Sequence, residues 1–183
     1  MQLVWPSTDT LPSYVQALER GWSPNNLRPE EGQEELALIH ADPAAFLASL
    51  VDREARGAPV RMPDGSFVPR LPGYRRWLWD GEFCGSISLR WQHGSNALPP
   101  YCLGHIGYSV VPWEQRQGYA TQALALLLLD APAEGLTYVQ ITTEPENLAS
   151  QRVIRANGGE LVEEFTSPPE LGGKAVMRFR IVL

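Results

Sequence analysis

The segment richest in chemistry runs VVPWEQRQGYAT, from Val110 to Thr121. An apolar stretch ends at Val111, a polar turn follows, and a helical pattern begins at Gln117. The first turn of such a helix offers N–H groups with no intrahelical acceptor and about half a positive charge, which suits a phosphate or pyrophosphate. Gly118 and Ala120 lack the bulk that would hold an anion off the backbone. Arg116 can add a charge-assisted contact. A P-loop is excluded, because GxxxxGK followed by Ser or Thr is absent. The three glycines and downstream acid of a dinucleotide fingerprint are missing too. On spacing alone, an anion site and an ordinary helix-capping loop both satisfy the segment.

The elements that must position this junction can be read from composition and period. The chain has 183 residues, 15 Lys+Arg against 21 Asp+Glu, a net charge of −6, and is 44% hydrophobic. That suits one globular domain over residues 1–183, with a single sizeable core. An acidic chain with no long basic run argues against nucleic acid or an anionic membrane surface as partner. Cys84 and Cys102 lack the close spacing of a zinc knuckle or redox pair, so no metal and no disulfide framework is expected. The N-terminus has no signal-peptide pattern, and the apolar run 123–129 is too short to cross a bilayer. A cytoplasmic location is the expectation.

Along the chain, residues 3–5 read as a strand, and residues 11–22 as a helix with Tyr14 and Leu18 facing inward. Residues 23–34 are polar and read as loop. Asp42 is placed to N-cap a helix reaching about residue 56, with Pro43 in its first turn. Residues 57–73 form a long connection. The period then changes to two. Residues 74–79 and 82–91 flank Asp80-Gly81, which suits a type I′ hairpin. Trp77, Trp79 and Trp91 alternate along it and are expected to pack on the early helices. A strand over 103–111, a helix over 117–131 and a strand over 137–143 follow. After them come a helix over 147–156 and strands over 160–165 and 175–182. The run 123–129, apolar nearly all round, is expected to be buried. This order predicts an α+β domain with one mixed central sheet.

Gln115, Gly118 and Ala120 also fill the pattern Arg or Gln, two residues, Gly, one residue, Gly or Ala, after a hydrophobic strand. With GHIGYSVVP before it and ATQALALLLL after it, the junction resembles the acetyl-CoA pyrophosphate motif of the GNAT acetyltransferase superfamily. ENLASQRVIRANGG, from Glu146 to Gly159, looks like the helix after the fifth strand in the branch containing ribosomal-protein N-acetyltransferases. WLWDGEFCGSISLR fits the second and third strands, so the resemblance covers nearly the whole chain. It implies a GNAT-like mixed sheet flanked by helices. The implied reaction is acetyl transfer from acetyl-CoA to an amine acceptor, by direct attack in a ternary complex.

Residue by residue, the resemblance implies that strands 103–111 and 137–143 splay apart to admit the pantetheine arm. Val110 and Val111 would pair with that arm, and a backbone N–H there would polarise the thioester carbonyl as an oxyanion hole does. Residues 115–121 would hold the pyrophosphate. Asn147 matches the residue that bonds the pantetheine amides, although a plain N-cap would also satisfy it. Ser150, on the same helix face as Asn147, matches the residue that protonates the leaving thiolate. His105 stands where many relatives carry a glutamate base. An imidazole titrates near neutral pH and can replace it, or the ring is satisfied by strand hydrogen bonds. Ile154 stands where other relatives carry a tyrosine acid. Glu144 and Glu146 draw in a cationic amine, act as alternative bases, or form a solvated loop. Tyr108 and Trp113 read as packing.

The acceptor class is an amine on a small molecule or a protein N-terminus. From a different class, a CoA-binding GNAT-like module without catalytic activity stays open, because His105 and Ile154 depart from the pattern. Edge strands at the C-terminus would let two copies associate as a homodimer.

Overall fold

A computed structural model describes all 183 residues, Met1–Leu183. The N-terminal half opens with β1 (Gln2–Val4) and three helices, α1 (Leu11–Glu19), α2 (Glu31–Ala41) and α3 (Pro43–Ser49). Asp42 caps α3 as expected, its carboxylate accepting from Ala45 N–H at 2.9 Å. Two expectations change here. Helix α2 begins inside the stretch read as loop, and its inward face includes Glu35 beside Leu36 and Ile39. A buried carboxylate breaks the apolar stripe that would have announced the helix. Its charge is met by Arg75 at 2.8 Å and by the Tyr14 hydroxyl. Helix α3 also stops early, at Ser49. Val51–Asp52 pairs instead with a later strand as β2, and the Asp52 carboxylate turns the chain by accepting from Arg56 and Gly57 N–H.

The long connection carries a small hairpin, β3 (Val60–Arg61) with β4 (Phe67–Val68). Then β5 (Gly73–Trp79), β6 (Phe83–Arg90) and β7 (Ile106–Val110) extend the first sheet in the order β1-β5-β6-β7, with β2 also on β5. The β5–β6 turn is not type I′, because Gly81 alone has positive φ (83°) and Asp80 does not. A register shift at Leu78/Trp79 makes it a three-residue connection with a bulge.

Helix α4 (Tyr119–Asp130) crosses from β7 to β8 (Tyr138–Thr143), and α5 (Leu148–Ala156) follows. Strands β9 (Glu160–Thr166) and β10 (Ala175–Val182) complete a second sheet in the order β8-β10-β9. Every ladder within the two sheets is antiparallel, and β7 shares no ladder with β8. These two sheets are therefore separate pieces that meet edge to edge.

Apolar burial covers both faces. On one, Trp77 stacks on Tyr14 with 4.5 Å between ring centroids, and Phe83 and Val111 join α1, α2 and α3. On the other, Ile106, Leu124, Leu127, Val139, Ile154 and Phe179 form the larger core. Trp91 lies in this second cluster rather than under the early helices. Helix α4 is not buried all round, since Leu126 and Leu129 are 40% and 77% exposed. No helix is long and apolar enough to cross a membrane.

Candidate active site

The junction before α4 folds as its composition requires. Arg116 has φ 65° and Gly118 has φ 80°, so the chain reverses through two left-handed residues before the helix starts. That conformation costs a β-carbon-bearing residue about 1 kcal/mol or more, and glycine little. Gly118 is the N-cap with no side-chain cap, and the first helical bond runs from Gln122 N–H to the Gly118 carbonyl at 3.1 Å. The N–H groups of Gly118, Tyr119, Ala120 and Thr121 thus lie ahead of the first hydrogen-bonded turn. Space above them is open, because a β-carbon on Gly118 would meet only the Gln122 amide, 3.9 Å away.

Flanking side chains are tied back. Tyr119 donates to Asp80 at 2.5 Å, fixing the start of α4 to the β5–β6 turn. Gln117 donates to Glu114 at 2.5 Å, which occupies the nearest carboxylate. Gln115 reaches back to the Val110 carbonyl at 3.4 Å, while the Arg116 side chain is exposed.

Between β7 and β8 lies a gap that is closed at one end. A β-carbon on Gly104 would sit 3.0 Å from the Gln140 carbonyl, so only glycine lets the strands approach there. His105 fastens the closure. Its N–H donates to the Gln140 carbonyl at 2.7 Å, and its Nδ1 accepts from Gln140 N–H at 2.9 Å. Beyond this point the two strands share no ladder. Val111 N–H is spent on the Cys84 carbonyl at 3.0 Å. By strand alternation the N–H and C=O of Val110 then face the gap rather than β6. Of the two valines expected to line the gap with backbone groups, Val110 turns its N–H to it, while its carbonyl there accepts from Gln115.

The geometry also revises the reading of His105 as a base. The ring is fully buried, and its Nδ1 lone pair is already engaged by Gln140. Neutral imidazole carries its proton on the other nitrogen, so no basic lone pair remains. Burial pushes the ring down to about 4, with the charge of Arg90 adding to it. Of the two alternatives, strut and base, the contacts fit the strut.

On the opposite bank, Asn147 caps α5, its Oδ1 accepting from Ser150 N–H at 3.0 Å. Ser150 Oγ lies 2.8 Å from the Tyr108 hydroxyl, which reaches across from β7. Burial pushes that phenol up to about 12, so it stays protonated. Tyr108 is the residue sequence reasoning passed over. At the end of β8, Glu144 is paired with Lys174 at 2.8 Å, and Glu144, Glu146, Lys174 and Ala175 line a cavity of about 290 Å³. The structure thus brings Val110, Ser150, Asn147 and the α4 N-terminus around one gap, and leaves His105 at its closed end. No group of three His, Cys, Asp or Glu side chains is arranged to hold a metal ion.

The profile of the acetyltransferase (GNAT) domain family matches residues 22–160. Among solved structures, the microcin C7 self-immunity acetyltransferase in complex with acetyl-CoA and AMP superposes with TM-score 0.64 at 13% identity, over 99% of this chain and 91% of that one. RimL, a ribosomal L7/L12 α-N-protein acetyltransferase solved with coenzyme A, gives TM-score 0.61 at 16% identity, over 99% and 93%. RimJ of Mycobacterium smegmatis, solved with a CoA disulfide, gives 0.59 at 17% identity, over 98% and 80%. A search of curated proteins by sequence returned no significant match.

Proposed function

Because the chain belongs to the GNAT acetyltransferase family, we propose that it transfers an acetyl group from acetyl-CoA to an amine acceptor by direct attack in a ternary complex. One observation carries the reading. The gap between β7 and β8 has a strand N–H turned to it at Val110, a hydroxyl at Ser150, and the uncapped N-terminus of α4 beside it. Each feature answers one part of acetyl-CoA. The N–H groups of residues 118–121, with Arg116, suit the pyrophosphate. Val110 offers strand-type hydrogen bonds to the pantetheine amides, and Asn147 can add its Nδ2 while its Oδ1 caps the helix.

In the reaction, a neutral amine attacks the thioester carbonyl. The N–C bond forms, the C–S bond breaks, and a backbone N–H facing the gap stabilises the oxyanion. Ser150 gives its proton to the departing sulfur. With His105 locked, removal of the amine proton falls to the open mouth, where Glu144 and Glu146 follow β8. The acceptor is an amine on a small molecule or a protein N-terminus, and the acidic mouth favours one that arrives as a cation.

Calorimetry with acetyl-CoA and CoA, alongside acetyl-CoA-dependent thiol release over a panel of amines, tests the proposal. Binding and turnover are expected together. Failure to bind either nucleotide would overturn the reading. Binding without turnover on any amine would make the chain a coenzyme-binding module of the same fold.

A further inference from the structure

We propose that Tyr108 is a positioning residue for Ser150, holding the serine hydroxyl so that its hydrogen points at the sulfur of the coenzyme. This rests on the acetyl-transfer reading and assigns a role to a side chain outside the motif. The phenol oxygen lies 2.8 Å from Ser150 Oγ and 3.4 Å from the Ser150 carbonyl. A carbonyl oxygen only accepts, and a phenol is a far stronger donor than an alkyl hydroxyl. The phenol is the more acidic of the two hydroxyls, so in the proposed arrangement Tyr108 donates to Ser150 Oγ, the nearer acceptor, rather than to the carbonyl.

That assignment has a consequence for Ser150. With one Oγ lone pair taken by Tyr108, the serine's own hydrogen is free to turn toward the gap. The backbone is fixed as well, because Asn147 Oδ1 accepts Ser150 N–H at 3.0 Å. An unassisted serine rotates among three staggered positions and is a poor acid. Held by the phenol, it keeps one. As the C–S bond breaks, the Ser150 proton forms the S–H bond, and the proton released from the acceptor amine at the mouth of the gap returns through solvent to Ser150 Oγ, while Tyr108 keeps its own. Burial pushes the phenol up to about 12, which keeps it in the donating form across the neutral range.

Tyr108→Phe removes the hydroxyl and leaves the ring in place. We expect kcat to fall about tenfold, with KM for acetyl-CoA and the calorimetric affinity for CoA unchanged. Ser150→Ala should fall at least as far, and the double variant should be no slower than Ser150→Ala alone. Undiminished kcat in Tyr108→Phe would overturn the proposal. So would an equal further loss when Tyr108→Phe is placed on Ser150→Ala, since the tyrosine would then act elsewhere. A loss carried in KM, or matched by a drop in melting temperature, would make the contact merely structural and reject the role. Absence of turnover by the unmodified protein over the whole amine panel would sink the acetyl-transfer reading itself, and the Tyr108 role with it.

Discussion

His105 and Gln140 hold each other by two hydrogen bonds, backbone N–H to carbonyl at 2.7 Å and backbone N–H to imidazole Nδ1 at 2.9 Å. These bonds join two sheets that share no ladder. A ring kept neutral here makes the fold sensitive to acid. The folded value of about 4 lies below the ordinary 6.5, so the unfolded chain binds more protons between those limits. Stability from this site is fully present above pH 6.5 and is lost as the pH falls toward 4. The full swing is about 3 kcal/mol at about 1.4 kcal/mol per pH unit. His105→Gln should flatten the slope of denaturation midpoint against pH in this window. It should also leave no new limb in the pH profile of turnover near neutrality. A turnover limb near pH 6.5 that vanishes in the variant would restore His105 as a base.

The α4 junction predicts opposite signs for two neighbouring substitutions. Arg116 has φ 65°, a position where glycine is less strained. Arg116→Gly should therefore stabilise the free protein by about 0.5–1 kcal/mol while weakening acetyl-CoA through loss of charge. Gly118→Ala works against φ 80° and should destabilise by about 1 kcal/mol. Nothing in the protein stands within 3.9 Å of the added carbon. A fall in coenzyme affinity of tenfold or more in Gly118→Ala would then report a steric conflict with bound anion. Thermal melts and calorimetry on both variants decide it, and unchanged affinity in both would remove the anion site.

How much of this was visible in the residues depends on the range of each interaction. The junction 115–121 was legible because helix start, glycine and flanking polar groups all lie within one turn of chain. Asn147 and Ser150 were legible for the same reason, being three residues apart on one helix. The Tyr108–Ser150 contact spans 42 positions, and nothing local distinguishes a catalytic-face tyrosine from a packing one. His105 was ambiguous because its protonation depends on burial and on Gln140, both set by the tertiary fold. Helix α2 escaped notice because Glu35 needs Arg75, a partner 40 residues away, to be tolerable on an inward face. Local signals marked the candidate cradle, and only long-range contacts separated strut from base at His105.

Asn147 has two tasks that a single pair of substitutions can pull apart. Its Oδ1 caps α5 through Ser150 N–H, while its Nδ2 is assigned to the pantetheine. Asn147→Asp keeps an accepting oxygen and even favours the helix dipole. Asn147→Ala loses both functions. The alanine variant should lose about 1 kcal/mol of stability. The aspartate variant should keep its stability, and both should bind CoA more weakly than the unmodified protein. Full CoA affinity in Asn147→Asp would confine this residue to capping.

Lys174 is the sole lysine in the chain, and it pairs with Glu144 at the mouth of the gap at 2.8 Å. The pair holds the lysine above its ordinary range, first through the hydrogen bond and then through the charge, so the ammonium persists at neutral pH. It therefore neutralises one of the two carboxylates assigned to attract a cationic acceptor. The pair is exposed and its effect modest, which sets the expected scale at about two- to fivefold. Lys174→Met frees Glu144 and should lower KM for cationic amines by that factor at low salt, with neutral acceptors unaffected. Glu144→Gln should raise it in the same assay. Raising the ionic strength from 0.01 to 1 M shortens the screening length from about 30 to 3 Å and should erase both differences. Equal changes for cationic and neutral acceptors would remove charge from the account of acceptor choice, leaving shape alone to select the amine.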